Sequence, residues 1–302
     1  MKKAMRILCL PVMAVTLLFL MAGAQPQQTG SARVFTDDAG RQIKLNGVPQ
    51  RIVSLSPAVT ETLYAIGAGD KVVGVTDFCN YPAAALQKPK VGGFADINME
   101  TVISLSPDLV VAATLHIPRI VPALEKFNIP VVINDPQTII DVVKNIRFTG
   151  RVTGLEKQAD SLAAELETKY KHITEKITGQ IRPTVFWELS DDFWTAGPGS
   201  FINDLINQAG GKNIAAGTKA PWAQLSAEII IGEDPDYVFL ADHPYGADIV
   251  SAGKRPGWEQ LSAVKKKHII EIQDVNLISR PGPRVMEALE YIARILHPEA
   301  FK

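Results

Sequence analysis

The chain has 302 residues, of which 46% are apolar and 21% charged, and its formal net charge at pH 7 is −1. These are the values of an ordinary globular protein, and they exclude long disorder, a collagen-like repeat and a disulfide scaffold. No block of Lys and Arg exceeds three residues, so the charge pattern argues against a dedicated nucleic-acid binder. The length allows one large domain or two of about 130 residues each.

Residues 1–24 have the pattern of an export signal. A positive start with Lys2, Lys3 and Arg6 precedes an almost wholly apolar stretch over 7–21, and Ala22-Gly-Ala24 supplies a small-x-small site. This pattern predicts cleavage after Ala24. An uncleaved anchor helix is the alternative, although the stretch is short for a membrane span.

Cysteine usage agrees with export. Cys9 lies inside the apolar stretch with no small residues before it, so no lipoprotein cleavage box is predicted. Cys79 would be the one cysteine of the mature chain, which therefore forms no intramolecular disulfide. Because no later apolar run reaches about 18 residues, we expect a soluble protein in the periplasm of a cell with an outer membrane.

The mature chain begins with a predicted hairpin over 32–48 and then alternates short β-rich runs with helical patterns. Strands are predicted at Ile52–Leu55, Val72–Val75, Leu109–Ala113, Val131–Ile133, Val185–Leu189, Tyr237–Ala241 and His268–Ile272. Helices are predicted to begin near Val59, Met99, Ile120, Phe201, Ala227 and Arg284. Alternation of this kind predicts an α/β fold with parallel-rich sheets and helices on both faces.

The middle of the chain differs from both halves. Residues 138–152 have a helical pattern that ends at Gly154, and residues 156–178 continue without Gly or Pro. A helix of that second length spans about 35 Å, which is long enough to bridge two domains. We therefore predict an N-terminal α/β lobe over 33–152, an interlobe backbone helix over 155–178 and a C-terminal α/β lobe over 181–302.

An internal repeat supports two similar lobes. Residues 100–113 match residues 228–241 at a constant offset of 128, with Glu, Ile, Pro, Asp, Val and Ala coinciding, and residues 63–69 match 205–211 more weakly. Chance similarity between helix–turn–strand units is the alternative, since Pro-Asp before a strand is common turn chemistry. Preserved order along the chain favours two lobes of one topology with a ligand cleft between them.

Ligands of open α/β sheets bind beyond the carboxyl ends of the strands, so residues that follow strands are the candidates. His116 and His243 follow two strands at nearly equivalent positions of the repeat, and either could contact a metal-containing ligand or be an ordinary rim residue. The five histidines show no spacing typical of a zinc site, so no protein metal site is predicted.

Aromatic residues are concentrated in the predicted loops. As a set near strand ends they favour a binding cleft, although each alone could be local packing. They are Phe78, Tyr81, Phe94, Trp194, Trp222, Tyr245 and Trp258.

Two arginines precede the last predicted helix. Arg280 follows a predicted strand, so its guanidinium could reach an anionic or amide-rich ligand or form a structural salt bridge. Arg284 lies near a helix N-terminus, where a cation is disfavoured, so we expect it to have a specific partner.

Glu100 and Glu228 occupy equivalent positions of the repeat, in the first turns of their predicted helices. Negative charge is favourable there for local reasons alone. Their equivalence nevertheless predicts one exposed carboxylate on each lobe, which a partner with two-fold symmetry could bind simultaneously.

Signatures of enzymes are missing from the sequence. It contains no G-x-S-x-G, H-E-x-x-H, G-x-x-x-x-G-K or G-x-G-x-x-G motif. We therefore predict no catalytic residues, and a secreted hydrolase with an unfamiliar site is the enzyme alternative.

Four segments together resemble the periplasmic binding proteins of ABC importers for cobalamin and ferric siderophores. They are Arg51-Ile-Val-Ser-Leu-Ser-Pro57-Ala-Val-Thr-Glu61, Pro107-Asp-Leu-Val110, Ala220-Pro-Trp222 and Pro281-Gly-Pro-Arg284. The resemblance covers roughly residues 34–301. It implies two α/β lobes joined by a rigid helix, little hinge motion, no catalysis and no cofactor besides the transported ligand.

The same resemblance implies roles for individual residues. Glu100 and Glu228 match the family's glutamates that dock onto arginines of the permease dimer, and Tyr81-Pro and Pro-Trp222 are similar to the cobalamin-binding type. Phe94 and Ala113 stand where the best-known relative has tryptophans. The expected ligand-binding set is Pro57, Phe78, Tyr81, Phe94, His116, Trp194, Trp222, His243, Tyr245 and Arg280.

The sequence therefore predicts a monomeric periplasmic protein that captures a corrinoid and delivers it to an ABC importer. A ferric siderophore or haem is the alternative ligand on the same fold. An anionic siderophore would require several cationic side chains in the cleft, and the candidates are Arg119, Arg280 and Arg284.

Overall fold

The computed structural model describes residues 32–241 and 248–302. The predicted export signal with its cleavage site, and also His243 and Tyr245, lie outside the described residues. The strands are β1 (Ala32–Thr36), β2 (Gln42–Asn46), β3 (Ile52–Ser54), β4 (Val72–Val75), β5 (Leu109–Ala112), β6 (Val131–Ile133), β7 (Thr184–Glu188), β8 (Trp194–Ala196), β9 (Lys212–Asn213), β10 (Trp222–Gln224), β11 (Tyr237–Leu240) and β12 (Ile269–Glu271).

The α-helices alternate with these strands. They are α1 (Pro57–Ala65), α2 (Met99–Ser104), α3 (Ile120–Glu125), α4 (Ile139–Thr153), α5 (Glu156–Ile177), α6 (Phe201–Gln208), α7 (Ala227–Glu233), α8 (Ile249–Gly253), α9 (Ser262–Lys265), α10 (Val275–Ser279) and α11 (Val285–Leu296). Within the described residues, no helix has both the length and the apolar character that crossing a bilayer requires.

Two four-stranded parallel sheets form the centres of the two lobes. The N-terminal lobe has the order β4-β3-β5-β6, and the C-terminal lobe has the order β9-β7-β11-β12. When the strands of each sheet are numbered in chain order, the first lies between the second and the third, and the fourth lies at the edge next to the third. The prediction of two α/β lobes of one topology with parallel sheets is confirmed.

The repeated Pro-Asp has the same structural role in both lobes. The Asp108 carboxylate accepts hydrogen bonds from the backbone N–H groups of Gln50 and Arg51 at 2.7 and 2.8 Å. The Asp236 carboxylate accepts from the N–H and the hydroxyl of Thr184, both at 3.1 Å. Each aspartate, just before the third strand, thus fixes the start of the first strand.

Two antiparallel strand pairs form separate two-stranded sheets beside the parallel ones. β1 and β2 form the predicted N-terminal hairpin. β8 pairs with β10 in the C-terminal lobe, so that Trp222 lies opposite Ala196 and Gln224 opposite Trp194. Neither strand of that second pair was predicted, because both are partly exposed and neither forms a continuous apolar run.

The connection between the lobes is made by α4 and α5. α4 ends at Gly154, which has a left-handed φ of +73°, and α5 ends one residue before the predicted 178. α5 packs along α4 and against α11 of the C-terminal lobe. The bridge is therefore a packed helical layer rather than an isolated helix.

The largest hydrophobic cluster is shared between the lobes. It extends from Ile52 and Leu109 under the first sheet, through Ile146 and Leu166 of the helical layer, to Phe239 under the second sheet. Separate clusters fill the opposite face of each sheet. The lobes are thus joined by continuous apolar packing on the side of the helical layer.

Candidate ligand cleft

A cleft of about 490 Å³ lies between the two lobes, at the carboxyl ends of strands from both sheets. Its lining residues come equally from the two lobes: Ser56, Pro57, Ala58, Phe78, Phe94, Asp135, Pro136, Gln137, Leu189, Phe201, Ile202, Trp222, Asn276, Ser279, Arg280 and Pro281. This is the position expected of a ligand site in parallel α/β sheets.

Short local signals position the aromatic wall. Pro57 is the first helical residue of α1, where its fixed φ and missing N–H are favourable. Ser200 caps α6 through a hydrogen bond from the Asn203 N–H at 3.1 Å, which holds Phe201 at the cleft. Phe78 and Trp222 are 57% and 53% exposed. Large aromatic side chains left this open are typical of a surface that binds a large apolar or planar ligand.

Five of the ten sequence-predicted ligand residues line this cleft, namely Pro57, Phe78, Phe94, Trp222 and Arg280.

His116 lies behind the cleft wall instead of facing a ligand. It is 1% exposed, its Nδ1 accepts the Ala113 N–H at 3.0 Å, and its Nε2 lies 2.7 Å from the Phe94 carbonyl oxygen. Because Nδ1 accepts, Nε2 carries the proton and donates to Phe94. Burial lowers the pKa of this imidazole. The histidine supports Phe94, whose ring it meets edge-on at 5.5 Å.

Two further predicted aromatics point elsewhere. The Tyr81 ring lies in a neighbouring groove between α1, α5 and the start of α11, with the Arg284 guanidinium 4.3 Å from its centre. Trp194 is 41% exposed on β8 and does not line the cleft. The direction of each side chain is decided by packing between lobes and strands that the local sequence does not encode.

Sequence reasoning missed several lining residues that its own rule could have found. Asp135, Pro136 and Gln137 follow β6 after one intervening residue, and Leu189 directly follows β7. The ligand candidates predicted near strand ends are histidines, aromatics and arginines, and none of these four residues belongs to those types. A search after every predicted strand would have added Asp135, Pro136 and Gln137, whereas Leu189 is the last residue of the predicted strand Val185–Leu189.

The cleft offers few charges. Among the described residues, its charged lining consists of Asp135 and Arg280. Asp135 accepts the Thr114 N–H at 3.0 Å, and Arg280 is bound by Glu61 at 3.0 Å. Within the part of the chain that the structure describes, no cluster of three or more acidic, His or Cys side chains could hold a metal ion.

Arg284 has a specific partner, the carboxylate of Glu61. Arg284 Nε and Nη2 donate to the two oxygens of the Glu61 carboxylate, both at 2.9 Å. This pair raises the pKa of the Arg284 guanidinium, the hydrogen bond to Glu61 being the main cause. The prediction that Arg284 has a specific partner is confirmed by these contacts.

Glu100 and Glu228 are exposed at equivalent places in the two lobes. Each is the second residue of its helix, and the caps Asn98 and Ser226 accept the backbone N–H groups three residues later. The Ser226 hydroxyl and the backbone N–H of Glu228 lower the pKa of the Glu228 carboxyl. The geometry thus presents one capped, negatively charged helix start on each lobe.

A family model described as periplasmic binding protein matches residues 52–275. The chain belongs to this family. Its members are substrate-binding proteins of ABC transporters, which act outside the cytoplasm with permease and ATPase partners and bind ligands such as vitamin B12, haem and siderophores. The sequence resemblance to this family is confirmed.

Two relatives illustrate the family at the level of sequence. An uncharacterized ABC transporter substrate-binding lipoprotein of Bacillus subtilis is 36% identical over 91% of this chain and 89% of its own. A cobalamin-binding protein of Halobacterium salinarum is 32% identical over 86% of this chain and 73% of its own.

Two solved structures share the fold. The periplasmic vitamin B12-binding protein of Vibrio cholerae superposes with a TM-score of 0.74 at 26% identity, covering 84% of this chain and 98% of that one. The periplasmic haem-binding protein of Roseiflexus superposes with a TM-score of 0.73 at 25% identity, covering 84% of this chain and 100% of that one.

Proposed function

We propose that this protein captures a corrinoid in the interlobe cleft and delivers it to the permease of an ABC importer. The observation that carries the proposal is the cleft itself, which is walled by exposed aromatic rings from both lobes and nearly free of available charge. A corrin ring is large and flat, and aromatic faces on two opposing walls suit its edges and faces. The cobalamin-binding relative supports the same ligand.

Calorimetric titration of residues 25–302 with cyanocobalamin tests the ligand. We expect saturable one-to-one binding with a Kd of micromolar or tighter, accompanied by quenching of tryptophan fluorescence because Trp222 lines the cleft. If cyanocobalamin produces no heat of binding and no quenching of tryptophan fluorescence, the ligand is not a corrinoid.

Haem or a ferric siderophore is the second candidate, favoured by a structural similarity to a haem-binding protein that is close to the similarity to the vitamin B12-binding protein. Haem iron is normally held by a His, Tyr, Met or Cys side chain. No such residue lines the cleft in the part of the chain that the structure describes, so a protein-ligated haem would need His243 or Tyr245. Titration with haemin, repeated with His243→Ala and Tyr245→Ala, tests this alternative.

Docking to the permease is proposed to use Glu100 and Glu228. Both carboxylates are exposed and lie at matching helix starts, so two arginines related by two-fold symmetry could pair with them simultaneously.

The double variant Glu100→Ala/Glu228→Ala tests this docking. We expect uptake through the reconstituted importer to be lost while the Kd for the ligand stays within twofold, since neither residue lines the cleft. The matched control is Glu125→Ala/Glu233→Ala, which removes one exposed carboxylate from the C-terminal end of α3 and one from the C-terminal end of α7. Normal uptake by the Glu100/Glu228 variant would exclude these residues as the docking pair.

Export is proposed to proceed through cleavage after Ala24, giving a monomeric periplasmic binding protein with no catalytic activity. The Bacillus relative is a lipoprotein, so anchoring to the outer face of the membrane is the alternative. The intact mass of the exported protein distinguishes the two, because a cleaved chain begins at Gln25 and carries no lipid.

A further inference from the structure

A buried ionic cluster lies at the boundary between the two lobes. Glu61 belongs to α1 of the N-terminal lobe, whereas Arg280 and Arg284 flank the turn between α10 and α11 of the C-terminal lobe. Their side chains are only 2%, 9% and 16% exposed. Burying three charges is costly unless each is fully hydrogen-bonded, so the arrangement requires a physical explanation.

The Glu61 carboxylate is saturated by donors from the opposite lobe. Arg280 Nη1 donates to its Oε1 at 3.0 Å, and Arg284 donates through Nη2 to Oε1 and through Nε to Oε2, both at 2.9 Å. Asp274 lies 3.6 Å from Arg284 Nη1 and balances the second positive charge. Charge-assisted bonds in a low dielectric are strong and geometrically specific.

Arg280 extends the cluster to the cleft wall. Its Nη2 donates to the Phe78 carbonyl oxygen at 2.9 Å and to Asn276 Oδ1 at 2.7 Å, and its Nη1 also donates to Asn80 Oδ1 at 2.8 Å. Phe78 belongs to the N-terminal lobe, and its side chain is one of the exposed aromatic rings of the cleft. Arg280 of the C-terminal lobe therefore holds the backbone at Phe78, whose ring forms part of the cleft wall in the N-terminal lobe.

Backbone packing at the same boundary is independent of these charges. A Cβ placed on Gly282 would lie 3.3 Å from the Ala58 carbonyl oxygen and 3.4 Å from its Cα. The loop between Arg280 and Arg284 thus lies directly against the first turn of α1, next to Pro57 at the cleft. The arginines act across a contact that has little room to shift.

We propose that Glu61, Arg280 and Arg284 are positioning residues that fix the separation of the lobes and place the Phe78 wall before any ligand arrives. The inference rests on the proposed function only in that ligand affinity is one of its two readouts. A cleft formed in advance avoids the entropic cost of ordering two lobes on binding. Arg280 accordingly acts through Phe78 and not through contact of its own guanidinium with the ligand.

The distance between the lobes is the first readout, measured on ligand-free protein. Spin labels on Ser104→Cys and Glu233→Cys occupy exposed positions at the ends of α2 and α7, and native Cys79 is fully buried and stays unlabelled. Double electron–electron resonance is expected to give a narrow distribution for the otherwise native protein. Glu61→Gln, which keeps the shape but removes the charge, is expected to broaden it clearly.

The Kd for cyanocobalamin is the second readout, expected to rise at least tenfold in Glu61→Gln. Arg280→Lys keeps the charge but lacks the planar fork that joins Glu61, Phe78 and Asn276, and it decides the question if Glu61→Gln fails to fold. The matched control is Glu167→Gln. Glu167 accepts a bidentate pair from Arg147 at 2.6 and 2.8 Å, but it is half exposed and lies within the helical layer.

The two readouts separate a positioning role from a general contribution to stability. An unchanged distance distribution in Glu61→Gln and Arg280→Lys would overturn the proposal, even if both variants melt at lower temperature. Broadening in these variants but not in Glu167→Gln supports it. Broadening together with no binding of cyanocobalamin by the native protein would support the positioning role and contradict the corrinoid function.

Discussion

At the scale of single residues, the two exposed tryptophans of the β8–β10 pair provide a matched comparison. Trp222 and Trp194 are 53% and 41% exposed and lie on adjacent antiparallel strands, but only Trp222 lines the cleft. Trp222→Ala is expected to weaken ligand binding by roughly tenfold or more, since an aromatic side chain that the ligand buries contributes about 1.5–3 kcal/mol.

Trp194→Ala is the control for that prediction. We expect it to change the Kd by less than twofold, and calorimetric titration of both variants checks the difference. Equal losses in the two variants would mean that the ligand extends beyond the described cleft.

The aromatic residues of the predicted loops show how far a sequence can predict individual site residues. Loop aromatics near strand ends were sufficient to propose a cleft, and Phe78, Phe94 and Trp222 do line one. Tyr81 does not, because Arg284 from a distant part of the chain holds its ring in another groove. Contacts of such long sequence separation leave no local pattern.

At the scale of elements, the junction of α4 and α5 depends on one close contact. A Cβ on Gly150 would lie 2.3 Å from the Cβ of Ala159, which is far closer than van der Waals contact allows. Gly150→Ala is therefore expected to lower the free energy of unfolding by about 1–3 kcal/mol, as overpacking of a buried site does.

A reciprocal substitution is the control for that contact. Gly150→Ala combined with Ala159→Gly removes the contact at 2.3 Å and leaves the new Cβ 3.1 Å from the Leu155 carbonyl oxygen, so we expect part of the stability to return. Urea unfolding of the native protein, both single variants and the double variant measures the coupling. Strictly additive effects would show that the close approach is not the cause.

Strands were predictable where their residues form a continuous apolar run, whatever their length. The seven buried parallel strands were found within one or two residues, because strands covered on both faces form continuous apolar runs. β8, β9 and β10 have the sequences WTA, KN and WAQ, in which polar and exposed positions interrupt any apolar run. β8 and β10 become strands by pairing with each other, and β9 by pairing with β7.

At the scale of the whole molecule, two buried histidines couple stability to pH. His116 and His297 are 1% and 7% exposed, and burial lowers the pKa of each imidazole from 6.5. The unfolded chain therefore binds these protons at higher pH than the folded chain. The free energy of unfolding should be constant above about pH 7 and fall as the pH drops below about 6.5.

Each histidine contributes a slope of at most about 1.4 kcal/mol per pH unit in this window. Urea unfolding between pH 7.5 and pH 5 measures the slope. This pH window lies above the range in which most carboxylates titrate. His116→Gln/His297→Gln should flatten it strongly, and an unchanged slope would assign the protons to other groups.

The apolar cluster shared by both lobes has a consequence for how the fold can change. Two lobes of one topology suggest a duplicated unit. However, one face of each sheet is covered by the helical layer of α4 and α5, and the apolar cluster continues through this layer to the other lobe. Neither half expressed alone would retain a closed interior. Insertions and circular permutation should therefore be tolerated at exposed turns, whereas exchanging one lobe for that of a relative requires the helical layer to be exchanged with it.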